Sequence, residues 1–523
     1  MKRAQRRTTI AVASFAVVCA AQHLPSSLIP HRSLPRPPSP CPKPVDAVDS
    51  RVPVIILVAD GARPDSLAAA IDDGSLPALA RLRAEGAAYT VTSAFPSVTG
   101  PAYAPFLLGR YPGPVGLPAL RWFDRARTDA SFPHYTRSYV GHEMRHVDAD
   151  LAADCPTMFE LVPRSLGSLS MIQRGLHRKK RLGASARFML RVARTHFSGD
   201  ASRWLTIDRE MGHEVASRVR TERPDFVFAA LTGIDKASHA EGHDHGLVAD
   251  AMRIVDQVAA ELRHDAERGG WWDETHLWVV SDHGHSAVTD HDDLAAAVAD
   301  AGNRVVAHPW IYRRRPDVAV MVSGNAMAHL YLDLAARQRP WWPALATRWG
   351  ALAEMLVQRS SVDIALLPHS PTSCEVVTAR RGRAMVERTA VTGGTPTYTY
   401  RRLDGDPLGI GTNLCGVSGD EAYDATFSGD YPDSVVQIAN LAGAARSGEI
   451  ILSAARGWDF RARFEPIPHR SSHGALHRDH MLVPLVVNRP TAVQPRRTVD
   501  VMPSALKLLG IAPPATLDGR SFA

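Results

Sequence analysis

The feature that most constrains the fold is an apolar run at 277–280 that ends abruptly in a carboxylate and an imidazole. The segment reads LWVVSDHG and has no polar alternation within the run, which predicts a strand covered on both faces of a parallel sheet. Such sheets bind ligands beyond the carboxyl ends of their strands, where Asp282 and His283 follow. A carboxylate oxygen beside an imidazole nitrogen suits zinc or a similar divalent ion. A polar turn after the strand is the alternative.

Two further apolar runs also lead into potential metal ligands. The run at 52–58 is followed by Asp60, and the run at 225–231 is followed by Asp235 and His239. A spacing of four residues places Asp235 and His239 on one face of a helix. The loop beyond offers further candidate ligands, which leave the assignment open: His243, Asp244 and His245. Strands alternating with helical patterns predict an α/β fold.

The segment at 93–113 is dense in turn-forming residues, and we expect it to hold a side chain on a rigid loop. Thr99 precedes Gly100 and Pro101, so its hydroxyl is predicted at a loop-to-helix junction. Free backbone N–H groups at such a junction favour an anion such as phosphate. Thr99 is therefore a candidate nucleophile, and a threonine that caps the helix is the alternative.

A histidine-rich segment near the C-terminus offers one more ligand. His473 lies in Ser-His-Gly, shortly before an apolar strand that we expect to begin at Met481, and it is the best candidate. Its neighbours His469, His477 and His480 are interpreted as proton carriers, pocket residues or surface residues.

The N-terminal region has the pattern of a signal peptide. Four basic residues precede an uncharged run at 8–21, and the run is shorter than the roughly 20 residues that a spanning helix needs. We predict a signal peptide at 1–21, a proline-rich linker at 22–50, and export to the periplasm or medium. An uncleaved N-terminal membrane anchor is the alternative.

Composition narrows the classes of partner. The net charge of +6 is concentrated at 174–194, and this basic segment is either a solvated helix face or an attractant for phosphorylated substrates or acidic membranes. Basic residues without interleaved aromatics argue against specific nucleic-acid recognition. Five scattered cysteines exclude a disulfide scaffold, although Cys374 and Cys415 are a candidate pair.

The ordered motifs together are more specific than any one of them. Their order resembles the alkaline phosphatase superfamily, and AFPSVTGP around Thr99 is similar to the type I phosphodiesterase/nucleotide pyrophosphatase branch. The resemblance implies a three-layer α/β/α sandwich with a mostly parallel central sheet and inserted cap regions. The catalytic domain would span 51–520, with insertions at about 134–223 and 286–465.

The resemblance also implies two divalent metal ions, expected to be zinc. The residues that match the ligands of the first ion are Asp60, Thr99, Asp282 and His283. Those that match the ligands of the second ion are Asp235, His239 and His473. Thr99 would attack phosphorus to form a phosphothreonine that water then hydrolyses. The expected substrate is a phosphoric diester or pyrophosphate of a small molecule, lipid or glycan.

The chain departs from this pattern beside the nucleophile. Where the branch usually has Phe-Pro-Asn-His, Gly-Pro-Ala-Tyr stands at 100–103, and the Pro-x-x-His-Gly motif is altered at 112–116. The asparagine that holds a phosphoryl oxygen falls near Leu120, which donates no hydrogen bond. Losing one such donor costs about 3 kcal/mol of transition-state stabilisation, and Tyr103 or Arg121 are the candidates to replace it.

Several activities share this constellation. Phosphonate hydrolases resemble it in the threonine and the two-metal site, and a phosphomonoesterase is a further alternative. A sulfatase is disfavoured because neither Cys-x-Pro-x-Arg nor Ser-x-Pro-x-Arg stands at the nucleophile. A zinc-binding protein without catalysis is the alternative of another class, and the presence of all seven expected ligands argues against it.

Overall fold

The computed structural model describes residues 53–127, 136–140, 142–308, 311, 315–390, 394–461 and 467–523. The predicted signal peptide and proline-rich linker lie outside the described residues. No helix within the described ranges is both long and apolar enough to cross a membrane.

The strands of the described chain are numbered in chain order. They are β1 (Val54–Ala59), β2 (Ala87–Thr92), β3 (Arg121–Phe123), β4 (Thr136–Ser138), β5 (Ser165–Ser168), β6 (Arg181–Leu182), β7 (Phe226–Leu231), β8 (His276–Val280), β9 (Ser286–His291), β10 (Val305–Ala307), β11 (Val318–Ser323), β12 (Met327–Leu332), β13 (Val362–Ser370), β14 (Ser373–Thr378), β15 (Gly382–Thr389), β16 (Thr397–Gly405), β17 (Leu414–Ser418), β18 (Ile450–Ala454), β19 (Gly457–Asp459), β20 (Ser471–Ser472) and β21 (Leu482–Val487).

The α-helices are numbered in the same way. They are α1 (Pro64–Asp72), α2 (Pro77–Glu85), α3 (Ala104–Leu108), α4 (Val147–Asp150), α5 (Met158–Leu161), α6 (Ala186–Ser198), α7 (Ser202–Glu222), α8 (Gly233–Glu241), α9 (Gly246–Arg268), α10 (Leu294–Asp300), α11 (Trp342–Val357), α12 (Gly419–Thr426), α13 (Ser434–Ala442), α14 (Arg478–Met481) and α15 (Val501–Leu508).

The central sheet has seven strands in the order β2-β21-β8-β1-β7-β5-β6. The five strands from β8 to β6 are parallel, β21 runs antiparallel to β8, and β2 runs antiparallel to β21. Ile56 of β1 pairs with Phe228 of β7 on one side and Trp278 of β8 on the other. The three apolar runs are thus adjacent central strands, which confirms the predicted largely parallel α/β sheet.

Hydrophobic cores lie on both faces of this sheet, because successive side chains of a strand point to opposite faces. Ile56 packs into a core with α3, α5 and α15, whereas Leu57 packs into a core with α1, α2, α7, α8 and α9. Every residue of β1 is buried. The sheet therefore lies between two helical layers, as an α/β/α sandwich requires.

A second sheet lies in the C-terminal half of the chain. Its nine strands have the order β10-β11-β12-β18-β13-β14-β15-β16-β17 and are antiparallel except for the β10–β11 pair. Helix α11 packs against it through Trp349 and Leu356. The region at 286–465, predicted as an insertion, thus contains all nine strands of this second sheet.

Two local features differ from what the sequence patterns suggest. The region at 134–223 contributes β5 and β6 to the central sheet in addition to helices. The sequence did not predict these strands because they are short and carry no long apolar run. Cys374 is buried and Cys415 is exposed, and both are free thiols. The candidate disulfide is therefore absent from the described structure.

Candidate active site

The polar residues that follow the three central strands meet at one edge of the sheet. Asp60 directly follows β1, and Asp282 and His283 follow β8 after one intervening residue. Asp235 and His239 lie one turn apart on α8, the helix that follows β7. Parallel strands present their carboxyl ends at the same edge, which explains why positions so distant in sequence converge.

The first cluster contains Asp60, Asp282 and His283, whose potential ligand atoms all lie within 4.8 Å of one another. All three residues are buried. Thr99 joins them, with its Oγ1 3.0 Å from His283 Nε2 and 3.3 Å from Asp60 Oδ1. The structure therefore brings together all four residues expected around the first ion.

Thr99 does not cap a helix. The short 3-10 helix that follows begins at Pro101, its N-cap is Gly100, and no side chain caps it. The threonine hydroxyl faces the Asp60 carboxylate instead. This geometry excludes the alternative interpretation, in which Thr99 caps the helix.

The second cluster is centred on the Oδ1 atom of Asp235. His239 Nε2 lies 3.2 Å from this oxygen, His473 Nε2 lies 3.5 Å from it, and His285 Nε2 lies 2.9 Å from it. The His473 ring stacks on the His283 ring with centroids 3.6 Å apart, so the two clusters adjoin. The structure thus brings together Asp235, His239 and His473, and it adds His285.

Hydrogen bonds set the orientation of the imidazoles. Nδ1 of His239 donates to the Ser471 carbonyl, Nδ1 of His473 to the Ser97 carbonyl, and Nδ1 of His283 to the Gly284 carbonyl. Because a carbonyl oxygen only accepts, each Nδ1 carries the proton and each Nε2 presents a lone pair. Outer hydrogen bonds of this kind orient histidines that bind metal ions.

Burial and mutual repulsion perturb the acidic groups. Burial, followed by the charges of Asp282 and Asp235, raises the pKa of Asp60 well above its usual value. Burial also raises the pKa of Asp282, whose Oδ2 lacks a hydrogen-bond partner among the described residues. Ionising a buried carboxylate is unfavourable unless a positive charge compensates it.

Asp235 is held ionised by a neighbouring lysine. Burial raises the pKa of Asp235, but the positive charge of Lys236 is the largest opposing effect, and the pKa of Asp235 lies well below its ordinary value. Lys236 Nζ lies 2.6 Å from Asp235 Oδ2. Burial lowers the pKa of His285 to about 3 and lowers the pKa of His473 well below its usual range.

The donor set fits divalent cations. Three buried carboxylates lie among the imidazoles. Two groups of potential ligand atoms each lie within 4.8 Å of one another, namely Asp60, Asp282 and His283, and Asp235, His283, His285 and His473. Lys236 pairs with one of these carboxylates, Asp235. Mixed carboxylate and imidazole ligands suit zinc and related ions.

Comparisons with known proteins agree with this geometry. Residues 54–340 match the family described as type I phosphodiesterase/nucleotide pyrophosphatase, which covers more than half of the chain. The chain belongs to this family. Membership identifies it as a hydrolase of the alkaline phosphatase superfamily and confirms the resemblance inferred from the motifs. No curated protein matches the chain significantly.

Solved structures share the fold of this phosphodiesterase family member at low sequence identity. Phosphonoacetate hydrolase from Sinorhizobium meliloti 1021, in complex with phosphonoformate, is 18% identical with a TM-score of 0.51, covering 88% of this chain and 96% of that one. Human ectonucleotide pyrophosphatase/phosphodiesterase 5 is 12% identical with a TM-score of 0.52, covering 89% of this chain and 97% of that one. These likenesses establish the architecture.

The two residues expected to contact substrate in this family member have different surroundings. Tyr103 is buried, and its hydroxyl donates to Asp60 Oδ2 at 3.2 Å. The backbone N–H of Arg121 donates to Ser323 Oγ, and the Arg121 side chain lies near His308. Tyr103 thus orients a candidate ligand, and Arg121 is the less buried of the two.

Sequence reasoning missed His285 and Lys236. His285 is separated from His283 by Gly284, so the spacing Asp-His-Gly-His carried a signal that a single Asp-His pair does not. Lys236 is adjacent to Asp235 and gave no signal, because an exposed lysine on a helix is the ordinary expectation.

Proposed function

We propose that the chain is an exported, metal-dependent hydrolase of phosphoric diesters or pyrophosphates that acts through a phosphothreonine intermediate. The observation that carries the proposal is the placement of the Thr99 hydroxyl, 3.0 Å from His283 Nε2 and 3.3 Å from Asp60 Oδ1. The hydroxyl belongs to a loop residue that does not cap the following helix. Its position beside a buried cluster of potential ligands favours a nucleophile.

Two divalent ions, with zinc as the expected identity, would be held by the two clusters. The residues proposed for the first are Asp60, Thr99, Asp282 and His283, and those for the second are Asp235, His239 and His473. Bound ions would lower the pKa of the hydroxyl and polarise phosphoryl oxygens. The buried carboxylates and oriented imidazoles supply the negative charge and lone pairs that such ions need.

The chain's own residues define the reaction. The Thr99 oxygen attacks phosphorus as its proton leaves toward the Asp60 side, the bond from phosphorus to the leaving alcohol breaks, and a phosphothreonine forms. Water then attacks the same phosphorus and frees Thr99. The loop holds the oxygen in place, which lowers the entropic cost of the first step.

Turnover by the purified, zinc-loaded chain tests this function. We expect bis-p-nitrophenyl phosphate to be cleaved faster than p-nitrophenyl phosphate or a p-nitrophenyl phosphonate ester, and Thr99→Ala to abolish cleavage. Preference for the phosphonate ester would instead assign a phosphonate hydrolase, and preference for the monoester a phosphatase. Zinc binding without turnover of any of them would contradict an enzymatic role.

A further inference from the structure

His285 occupies a position in the second cluster that the family pattern does not assign. Its side chain is fully buried, and Nε2 lies 2.9 Å from Asp235 Oδ1, closer than the Nε2 atoms of His239 and His473. Its ring centroid is 4.9 Å from that of His239 and 5.1 Å from that of His473. His285 is therefore part of the same group of imidazoles.

The hydrogen bonds of His285 direct a lone pair at this point. Nδ1 lies 3.1 Å from Ser471 Oγ, and Ser471 Oγ donates its own hydrogen to the Ser286 carbonyl. The serine oxygen therefore accepts from Nδ1, which carries the proton. Nε2 is left unprotonated and faces a carboxylate oxygen, an arrangement that is repulsive unless a cation lies between them.

The distances from Asp235 Oδ1 to three imidazoles fit a common cation, and Asp235, His285 and His473 belong, with His283, to one group of potential ligand atoms that all lie within 4.8 Å of one another. Zinc bound at about 2.0–2.1 Å places tetrahedral ligand atoms about 3.3 Å apart. Asp235 Oδ1 lies 3.2, 2.9 and 3.5 Å from the three Nε2 atoms of His239, His285 and His473. Lys236 holds the other carboxylate oxygen at 2.6 Å, which leaves Asp235 one oxygen for a metal ion.

Backbone geometry supports the same reading. Gly61 has a φ of +81°, and a Cβ at this position would lie 2.9 Å from His285 Nε2 and 3.0 Å from Asp235 Cβ. The absent side chain is what allows the imidazole to approach the carboxylate. Arg63 donates to the backbone carbonyl of His285 and fixes the loop from the other side.

We propose that His285 is a fourth protein ligand of the second metal ion, together with Asp235, His239 and His473. The inference rests on the proposed function, because it uses the same metal site. Zinc with four protein ligands can expand to five-coordinate, which would leave a place for a phosphoryl oxygen.

A crystal structure of the zinc-loaded full chain, with zinc located by anomalous scattering, tests the ligation directly. We expect His285 Nε2 within about 2.1 Å of the second ion. A distance beyond about 3 Å, with Nε2 donating to Asp235, would overturn the inference. Zinc bound by His239 and His473 but not His285 would leave the proposed function standing, whereas no bound zinc would overturn both.

Zinc titration of metal-free variants gives a second readout in solution. We expect His285→Leu and His285→Gln each to weaken zinc binding at the second cluster at least about 10-fold, as loss of ligand-site interactions does. Glutamine keeps a hydrogen-bond donor for Asp235, so wild-type affinity in His285→Gln would overturn ligation in favour of a hydrogen bond. His213→Ala, an exposed histidine paired with Glu261, is the control and should bind zinc like the wild type.

Discussion

Gly61, in the loop that follows β1, lies close to His285 and Asp235 of the second cluster. At a φ of +81°, alanine is strained by about 1–2 kcal/mol, and its Cβ would contact His285 Nε2 and Asp235 Cβ. We expect Gly61→Ala to weaken zinc binding at least about 10-fold as well as to lower the free energy of unfolding, measured by zinc titration and urea denaturation.

Gly74 provides the matched control for this change. Its φ of +82° is nearly the same, but nothing lies within 4 Å of a Cβ at that position. Gly74→Ala should therefore lose stability and keep wild-type zinc affinity. Equal zinc affinity in both variants would contradict the close approach between Gly61 and His285.

Leu120 lies beside the proposed nucleophile, since its Cδ1 is 3.7 Å from a Cβ built on Gly100. An asparagine here would supply a hydrogen bond to a phosphoryl oxygen in the transition state. Such donors are worth roughly 100-fold or more in turnover where the geometry is optimal. We expect Leu120→Asn to raise diester turnover at least about 10-fold over the wild type, whose leucine has a similar size but no donor, and over Leu120→Ala, which has neither. Equal rates would contradict the assigned position of Leu120.

Among the elements, helix α8 carries Asp235 and His239. A buried carboxylate from α7 accepts hydrogen bonds from the backbone at the N-terminus of α8. Asp208 accepts hydrogen bonds from the backbone N–H groups of Thr232 at 3.1 Å and Gly233 at 2.6 Å. Burial raises the pKa of Asp208 to about 7. Asp208 thus positions a helix that bears two candidate ligands, and its own carboxyl group is buried.

The raised pKa predicts a pH dependence of stability. Between about pH 4 and 7 the folded state keeps a proton on Asp208 that the unfolded state has lost. The free energy of unfolding therefore falls as pH rises through this range, by at most about 1.4 kcal/mol per pH unit. Asparagine does not ionise. The stability of wild type relative to Asp208→Asn should therefore fall across this range in urea denaturation, and a constant difference would contradict the shift.

The long central strands could be predicted from sequence, whereas several local features could not. Buried parallel strands are continuous apolar runs, so β1, β7 and β8 and the ligands beyond them were evident. β5 reads SLGS and has no such run, and its place in the sheet depends on pairing with β7. The convergence of His285 and Lys236 on Asp235 likewise depends on tertiary packing that spacing does not reveal.

At the scale of the whole molecule, the two clusters join residues from 60 to 473 of the chain. Without cations, Asp60 and Asp282 repel each other in a buried environment. We expect chelation to lower the free energy of unfolding by about 3–4 kcal/mol relative to protein in zinc at 100–1,000 times its dissociation constant. Calorimetry with and without chelator measures this, and readded zinc should restore it. An unchanged melting temperature would argue against metal occupancy.

Trapping the phosphothreonine intermediate tests whether Thr99 is the nucleophile. Zinc-loaded enzyme mixed with a diester substrate is quenched in acid within one turnover, digested and examined by mass spectrometry. We predict a phosphoryl group on Thr99. It should be absent from the Thr99→Ala variant and from enzyme that is quenched before substrate is added. Product release within the same turnover without modification of Thr99 would contradict it, because water would then attack the substrate directly.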